Sequence, residues 1–195
     1  LSPSGKYFAY YNDQDSSWYV KNIKENTLVN LTSGIDAKFY RKHHDVPSLP
    51  YAAGNVKWLI GEKNLLVKDQ NDYWLLNVED GKPSKITNGA KSNVRYSYLK
   101  FDKNQEYIDL NKDLYFKAFH EDTKNEGIAK YGANGLEELF QEPYKILYVV
   151  KADSANKVIM RQMSTIQYPE LQVSNLDFTK RKIITEVNPQ QKDYN

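Results

Sequence analysis

The chain has no cysteine, which excludes a disulfide framework and any zinc site built on thiolates. Long apolar runs are missing as well. The longest unbroken aliphatic and aromatic stretch is Ile146–Val150, far short of the ~20 residues that span a bilayer. No transmembrane helix is expected, and no secretory h-region stands at the start. The first residue is Leu1 rather than Met, and the sequence opens inside a strand-like unit. It reads as an excised piece of a longer protein whose targeting signal lies upstream. Glycine is scarce, with nine in 195 residues. None stands in a Gly-x-Ser-x-Gly elbow, the strained turn that exposes a nucleophilic serine, and none builds a phosphate-cradling loop. Charge of one sign is lacking too. The 27 basic and 25 acidic residues leave a net charge of +2, whereas nucleic acid demands a concentrated basic stripe. The densest cluster, Lys180–Arg181–Lys182, reads as a solvated edge.

What is present is a β-rich alphabet: sixteen tyrosines and three tryptophans, residue types that favour strands. A fifteen-residue pattern occurs three times, as WYVKNIKENTLVNLT at 18–32, YWLLNVEDGKPSKIT at 73–87 and LQVSNLDFTKRKIIT at 171–185. Each copy alternates apolar and polar residues, then has Asn and an aliphatic residue (Asn22–Ile23, Asn77–Val78, Asn175–Leu176). A polar turn comes next, and each copy closes on an aliphatic residue and Thr (Leu31–Thr32, Ile86–Thr87, Ile184–Thr185). Period-two alternation around a polar turn predicts a hairpin. Asn26 and Gly81 occupy the tightest part of the turn and tolerate positive φ. The third copy has Thr179 there, so a different turn is expected.

The copies begin 55 and 98 residues apart, the second interval leaving room for one degenerate unit. Four-stranded units of about 40–50 residues mark β-propeller blades. The expected fold is therefore all-β: a partial β-propeller of about four blades, each a four-stranded antiparallel sheet. Approximate blades are 1–34, 55–89, 94–141 and 144–185, the first lacking its opening strand, with an exit segment at 186–195. Residues 35–50, with two prolines and clustered charges, read as a long loop. Within the irregular middle, alternation predicts strands at Arg95–Phe101, Tyr107–Leu110, Leu114–Phe119, Ile128–Tyr131 and Leu136–Phe140. An all-β sandwich of hairpins is the competing architecture. No stretch shows helical periodicity.

Few residues offer chemistry. His43 and His44 are adjacent and precede Asp45, but neighbours on an extended segment face opposite ways, and His120 lies in another unit. A metal site needs three or four convergent ligands, so the expectation is a His–Asp hydrogen bond within the loop, with no metal and no cofactor. Glu137–Glu138 is a paired carboxylate in an apolar setting. It could hold a substrate amino terminus, yet on a strand at least one of the two faces solvent. The aromatics could stack on sugars, but packing between sheets is the simpler role. Asn30–Leu31–Thr32 matches a glycosylation sequon and coincides with a closing strand. The residues alone thus supply no catalytic and no binding assignment.

Two stretches carry a resemblance: FYRKHHDVPSLPYAAGNVKWLIGEKNLLVKDQNDYWLLN at 39–77 and YPELQVSNLDFTKRKIITEVNPQQKDY at 168–194. The carrying elements are His44–Asp45 with Pro47 and Pro50, Trp58, Asp72–Tyr73–Trp74, Tyr168–Pro169–Glu170–Leu171 and Asn188–Pro189–Gln190–Gln191. Together they resemble the propeller of bacterial, Bacteroidetes-type serine peptidases of the prolyl oligopeptidase family, the dipeptidyl-peptidase IV-like group. The resemblance implies a periplasmic or secreted protein in which the propeller gates short peptides to a C-terminal α/β-hydrolase domain. That domain, absent from these residues, would carry the Ser–Asp–His triad and be the chain's partner. The pattern is not complete. Val56–Lys57–Trp58 replaces the usual Gly–Trp opening, and Glu137–Glu138 lies in no helical insertion, so no binding residue is carried over. Expected alternatives are a stand-alone TolB-like protein-binding propeller and a carbohydrate-binding propeller. An incomplete first blade also predicts edge-to-edge self-association.

Overall fold

A computed structural model describes residues 1–194. Asn195, the last residue of the expected exit segment, and the side chains of Gln191 and Lys192 lie outside the described residues. The chain is all-β. Fifteen strands make four antiparallel sheets, and the only helical elements among the described residues are two 3₁₀ turns, Gly89–Ser92 and Pro189–Asp193. This is a partial β-propeller, with a three-stranded first sheet and four-stranded sheets after it.

The first sheet runs β1 (Tyr7–Asn12), β2 (Ser17–Asn22), β3 (Leu28–Asn30). The second is β4 (Lys57–Trp58), β5 (Asn64–Lys68), β6 (Tyr73–Asn77), β7 (Pro83–Lys85). The third is β8 (Val94–Tyr98), β9 (Leu114–His120), β10 (Glu126–Gly132), β11 (Gly135–Glu142). The fourth is β12 (Lys145–Lys151), β13 (Lys157–Met163), β14 (Glu170–Asn175), β15 (Lys182–Ile183). Each pattern copy forms the last two strands of its sheet, as the alternation predicts.

The chain divides into two compact units, Leu1–Tyr96 with Gln105–Lys112, and Ser97–Asn104 with Asp113–Asn195. In the first, Trp18, Val20, Leu31, Phe39, Trp58, Leu65, Val67 and Leu76 form the core. Leu31, Leu65 and Leu76 are wholly buried, and each such side chain contributes about 1.5–3 kcal/mol relative to exposure. In the second, Tyr115, Ile128, Ile146, Val158, Met160 and Phe178 are the centre. The buried Glu126 carboxylate there accepts the Ile146 amide (2.5 Å) and pairs with Lys117 Nζ (2.7 Å), which also donates to the Ile146 carbonyl.

The closing Thr has a specific task. Its hydroxyl oxygen accepts the backbone N–H that opens each pattern copy, fourteen residues back: Trp18 to Thr32 (3.0 Å), Tyr73 to Thr87 (2.9 Å), Leu171 to Thr185 (2.9 Å). In two copies the same hydroxyl donates to an acid one residue earlier still, Asp72 (2.7 Å) and Glu170. The residue at that place before the first copy is Ser17 rather than an acid, and Thr32 turns to Asn30 Oδ1. The two acids also anchor the chain as it leaves each blade. Asp72, fully buried, accepts the Gly89 and Ala90 amides at the first 3₁₀ turn and pairs with Lys85. Glu170 accepts the Val187 amide (2.9 Å).

The turns match the expectation and explain its exception. Asn26 and Gly81 have φ of 55° and 70°. In the third copy the left-handed residue is Phe178, φ 59°, one position earlier. That conformation costs a side-chain-bearing residue roughly 1–2 kcal/mol. It is held because the ring is buried against Phe140 and Tyr115.

Two expectations need correction. Tyr107–Leu110 is no strand. Ile108 forms a single parallel bridge with Leu59 and groups with the first unit. The return strands of the third sheet run past the expected Ile128–Tyr131 and Leu136–Phe140 at both ends, and Leu139 is an extra residue in a bulge opposite Ile128 and Ala129; a bulge interrupts the period on which sequence reading relies.

Replacing Thr87 by Val removes an acceptor and a donor from two buried partners, so Thr87→Val should cost about 2–4 kcal/mol. Thr32→Val, which strands no carboxylate, should cost about 1 kcal/mol. Urea unfolding of the two variants checks the order; equal costs would contradict the role given to Asp72.

Candidate functional site

A shallow concavity lies in the first unit. It measures about 330 Å³ and is lined by Ser4, Lys6, Tyr7, Gly61, Glu62, Lys63 and Glu79. Its floor comes from two equivalent turns. Lys6 and Lys63 each give their carbonyl to the aliphatic residue after the pattern's Asn, Ile23 and Val78 (both 3.0 Å). Glu62 stands in one of these turns with φ 53°.

Glu62 is buried and fully engaged. Its carboxylate accepts the Ser4 amide (2.9 Å), the Ser4 hydroxyl and the Tyr107 hydroxyl (2.8 Å). Burial pushes its pKa up, but the hydrogen bonds from Ser4 and Tyr107 outweigh it and hold the group down at about 2. Such a carboxylate stays ionised at neutral pH with its lone pairs occupied, the opposite of a general base poised near the working pH. It joins the turn before β1 to the turn before β5.

Asp72 has the same character. Burial raises its pKa, and hydrogen bonds from Lys85, Thr87, Gly89 and Ala90 bring the net shift below the usual value. Asp69, also buried, accepts the Asn71 and Asp72 amides and the Trp74 indole N–H. Lys68 is the contrasting group. Burial, then the neighbouring Arg95 cation, lower it to about 8 against an opposing pull from Asp69. Its Nζ lies 5.7 Å from the Tyr73 ring centre.

The residues singled out in the sequence do not converge. His44 Nε2 bonds the Ser48 carbonyl (2.8 Å) and hydroxyl (3.1 Å), and the ring meets Tyr51 edge-on. The partner is thus Ser48, where Asp45 was expected. His120 Nδ1 accepts the Asp122 amide in the β9–β10 turn. Glu137 faces Lys130 across the sheet (3.3 Å), and both Glu137 and Glu138 are exposed. Arg181 makes a bidentate pair with Glu142 (2.7 and 2.5 Å) and covers the Phe140 ring. Asn30 Oδ1 accepts the Thr32 amide. Among the described residues no group of three His, Asp or Glu could hold a metal ion. No helix among them is long and apolar enough to cross a membrane. Sequence reasoning missed Glu62, Asp72 and Glu170. The signal for the last two was an acid immediately before the second and third copies, fifteen residues ahead of the closing Thr.

No family model and no curated protein matches the chain. Solved structures do. A Mycobacterium tuberculosis puromycin-hydrolyzing peptidase superposes with a TM-score of 0.56 at 9% identity, over 94% of this chain and 30% of that one. TolB from Acinetobacter baumannii gives 0.49 at 13% identity, over 95% and 42%. A putative TolB from Agrobacterium tumefaciens gives 0.47 at 14%, over 94% and 62%. The chain spans less than two thirds of each of these proteins, and the likeness is one of fold.

Because the folded pKa of Glu62 is depressed, its stabilisation is complete above its ordinary value of 4.5 and is lost as pH falls towards about 2. Glu62→Gln should cost about 1–3 kcal/mol at pH 7 and remove that part of the acid slope. Unfolding midpoints between pH 7 and 2 test this. A variant with the slope of the parent chain would show that Glu62 is not the titrating clasp.

Proposed function

We propose that this chain is a non-catalytic propeller segment of a periplasmic or secreted serine peptidase of the prolyl oligopeptidase family. It scaffolds and gates the approach of short peptides to an α/β-hydrolase domain that these residues do not contain. The observation that carries the non-catalytic part is the saturation of its buried acids. Glu62, Asp72 and Glu170 are each held by backbone amides and hydroxyls, which occupies the lone pairs that activating a nucleophile would need. The peptidase part is supported by the sequence resemblance, two of whose motifs, Asp72–Tyr73–Trp74 and Tyr168–Pro169–Glu170–Leu171, contain the acids that clasp the blades. The long loop is consistent with a gate. Between Phe39 and Ala53 it is anchored by the Ala53-to-Phe39 and Arg41-to-Tyr51 backbone bonds (2.7 Å each), while Val46, Leu49 and Tyr51 are exposed.

The purified chain should remain unlabelled by a fluorophosphonate serine-hydrolase probe, and its reading frame should continue into an α/β-hydrolase with a Gly-x-Ser-x-Gly elbow. Probe labelling of the chain itself would overturn the non-catalytic role. A stop codon directly after Asn195 would overturn the peptidase and favour a stand-alone TolB-like binding propeller.

A further inference from the structure

Two Asn–Gly bonds occur in the chain, Asn88–Gly89 and Asn134–Gly135, and the fold treats them in opposite ways. An Asn followed by glycine has a reaction of its own open to it. The glycine backbone nitrogen, unhindered by a β-carbon, attacks the side-chain amide carbon of the Asn and closes a five-membered imide. For that the nitrogen must be released from its hydrogen bond, and the two residues must be free to turn towards each other.

Asn88–Gly89 is held fast. The Gly89 N–H donates to one oxygen of the buried Asp72 carboxylate (2.5 Å), and the Ala90 N–H donates to the other (3.1 Å). The Gly89 carbonyl accepts the Asn93 N–H. Gly89 is buried, and a β-carbon on it would lie 2.2 Å from the Val94 carbonyl oxygen and 2.9 Å from the Tyr96 ring. Its nitrogen is freed only when this part of the blade opens and leaves a buried carboxylate short of donors, which is costly.

Asn134–Gly135 has no such hold. Ala133 and Asn134 are the exposed two-residue turn between β10 and β11, with Gly132 opposite Gly135 at the last rung. Gly135 has φ 87°, and nothing lies within 4 Å of its β-carbon position. The end rung of an exposed hairpin opens locally at small cost. The remaining bond of similar type, Asp80–Gly81, presents a carboxylate, a poor electrophile, and its Gly81 N–H is given to the Asn77 carbonyl (2.9 Å).

We infer that Asn134 is a site of spontaneous deamidation, and that the Asp72 clasp spares Asn88. The bond from the Gly135 nitrogen to Asn134 Cγ forms and the Cγ–Nδ2 bond breaks. Ammonia departs with the proton of the Gly135 amide. Water then opens the imide at either carbonyl, leaving aspartate or isoaspartate at position 134. Isoaspartate places an extra carbon in the backbone of a two-residue turn and disturbs the rung that the turn closes. Either product adds a negative charge to a hairpin end where Asp113 and Glu137 already share Lys130 (3.9 and 3.3 Å). The reaction is independent of any peptidase role.

The test incubates the complete folded chain at mildly alkaline pH and follows both sites by peptide mass mapping and by enzymatic methylation of isoaspartate. Asn134 should convert at least about tenfold faster than Asn88, because only its glycine nitrogen is released by a local opening. In guanidinium chloride, where no fold protects either bond, the two sites should convert at similar rates. An unchanged Asn134, comparable conversion of both sites in the folded chain, or a difference that persists in denaturant overturns the proposal.

Discussion

Each blade of this chain that carries the pattern depends on finding an acceptor for one backbone N–H, the one that opens its next-to-last strand. The final strands are only two or three residues long, too short for their ladder to reach back that far. A buried N–H without a partner costs about as much as a lost hydrogen bond. The closing Thr supplies the acceptor from its side chain, and because a hydroxyl also donates, its proton can be given to a carboxylate. Asp72 and Glu170 take that proton and gather the amides of the segment that leaves the blade. One side-chain contact thus ends a strand, satisfies an orphan donor and sets the path of the chain beyond it. The last edge of each sheet can then be short, which discourages unwanted pairing there.

This device explains which parts of the fold were legible. Alternation, Asn and Thr recur because each has a fixed geometric task, so three of the four sheets could be read from their spacing. The left-handed turn was legible through Asn26 and Gly81, residue types that adopt it at little cost. It was illegible at Phe178, where burial against Phe140 and Tyr115 overrides local preference. The middle of the chain was hardest for the same reason. The Leu139 bulge breaks the period, and Ile108 owes its conformation to Leu59, some fifty positions away, which no local window reveals.

The candidate chemistry was legible only as residue types. His44 and Asp45 are neighbours in sequence, but the loop carries the imidazole to Ser48. Glu137 and Glu138 are paired on paper, yet both point to water and one is engaged by Lys130. The acids that matter stood in plain view before the pattern copies. Nothing in composition said that they would be buried, because burial of a carboxylate depends on donors that only the fold assembles.

That assembly also sets the character of the buried ionisable groups. A catalytic carboxylate or lysine is useful when its environment leaves it unsatisfied in the resting state, with a proton or lone pair available to substrate. Burial by itself would push Glu62 and Asp72 in that direction. Here each receives several donors, the net shift is downward, and the groups become fixed anions already committed to holding turns together. Lys68 shows the other sign, a cation driven towards neutrality by burial and Arg95, but it lies beside an aromatic ring and a buried Asp69 that is itself occupied by two amides and an indole. The same low-dielectric surroundings that could have made an active site have instead been filled with backbone donors. Glu62 and Asp72 are in this sense architecture: their charge is spent on holding turns and strand ends together.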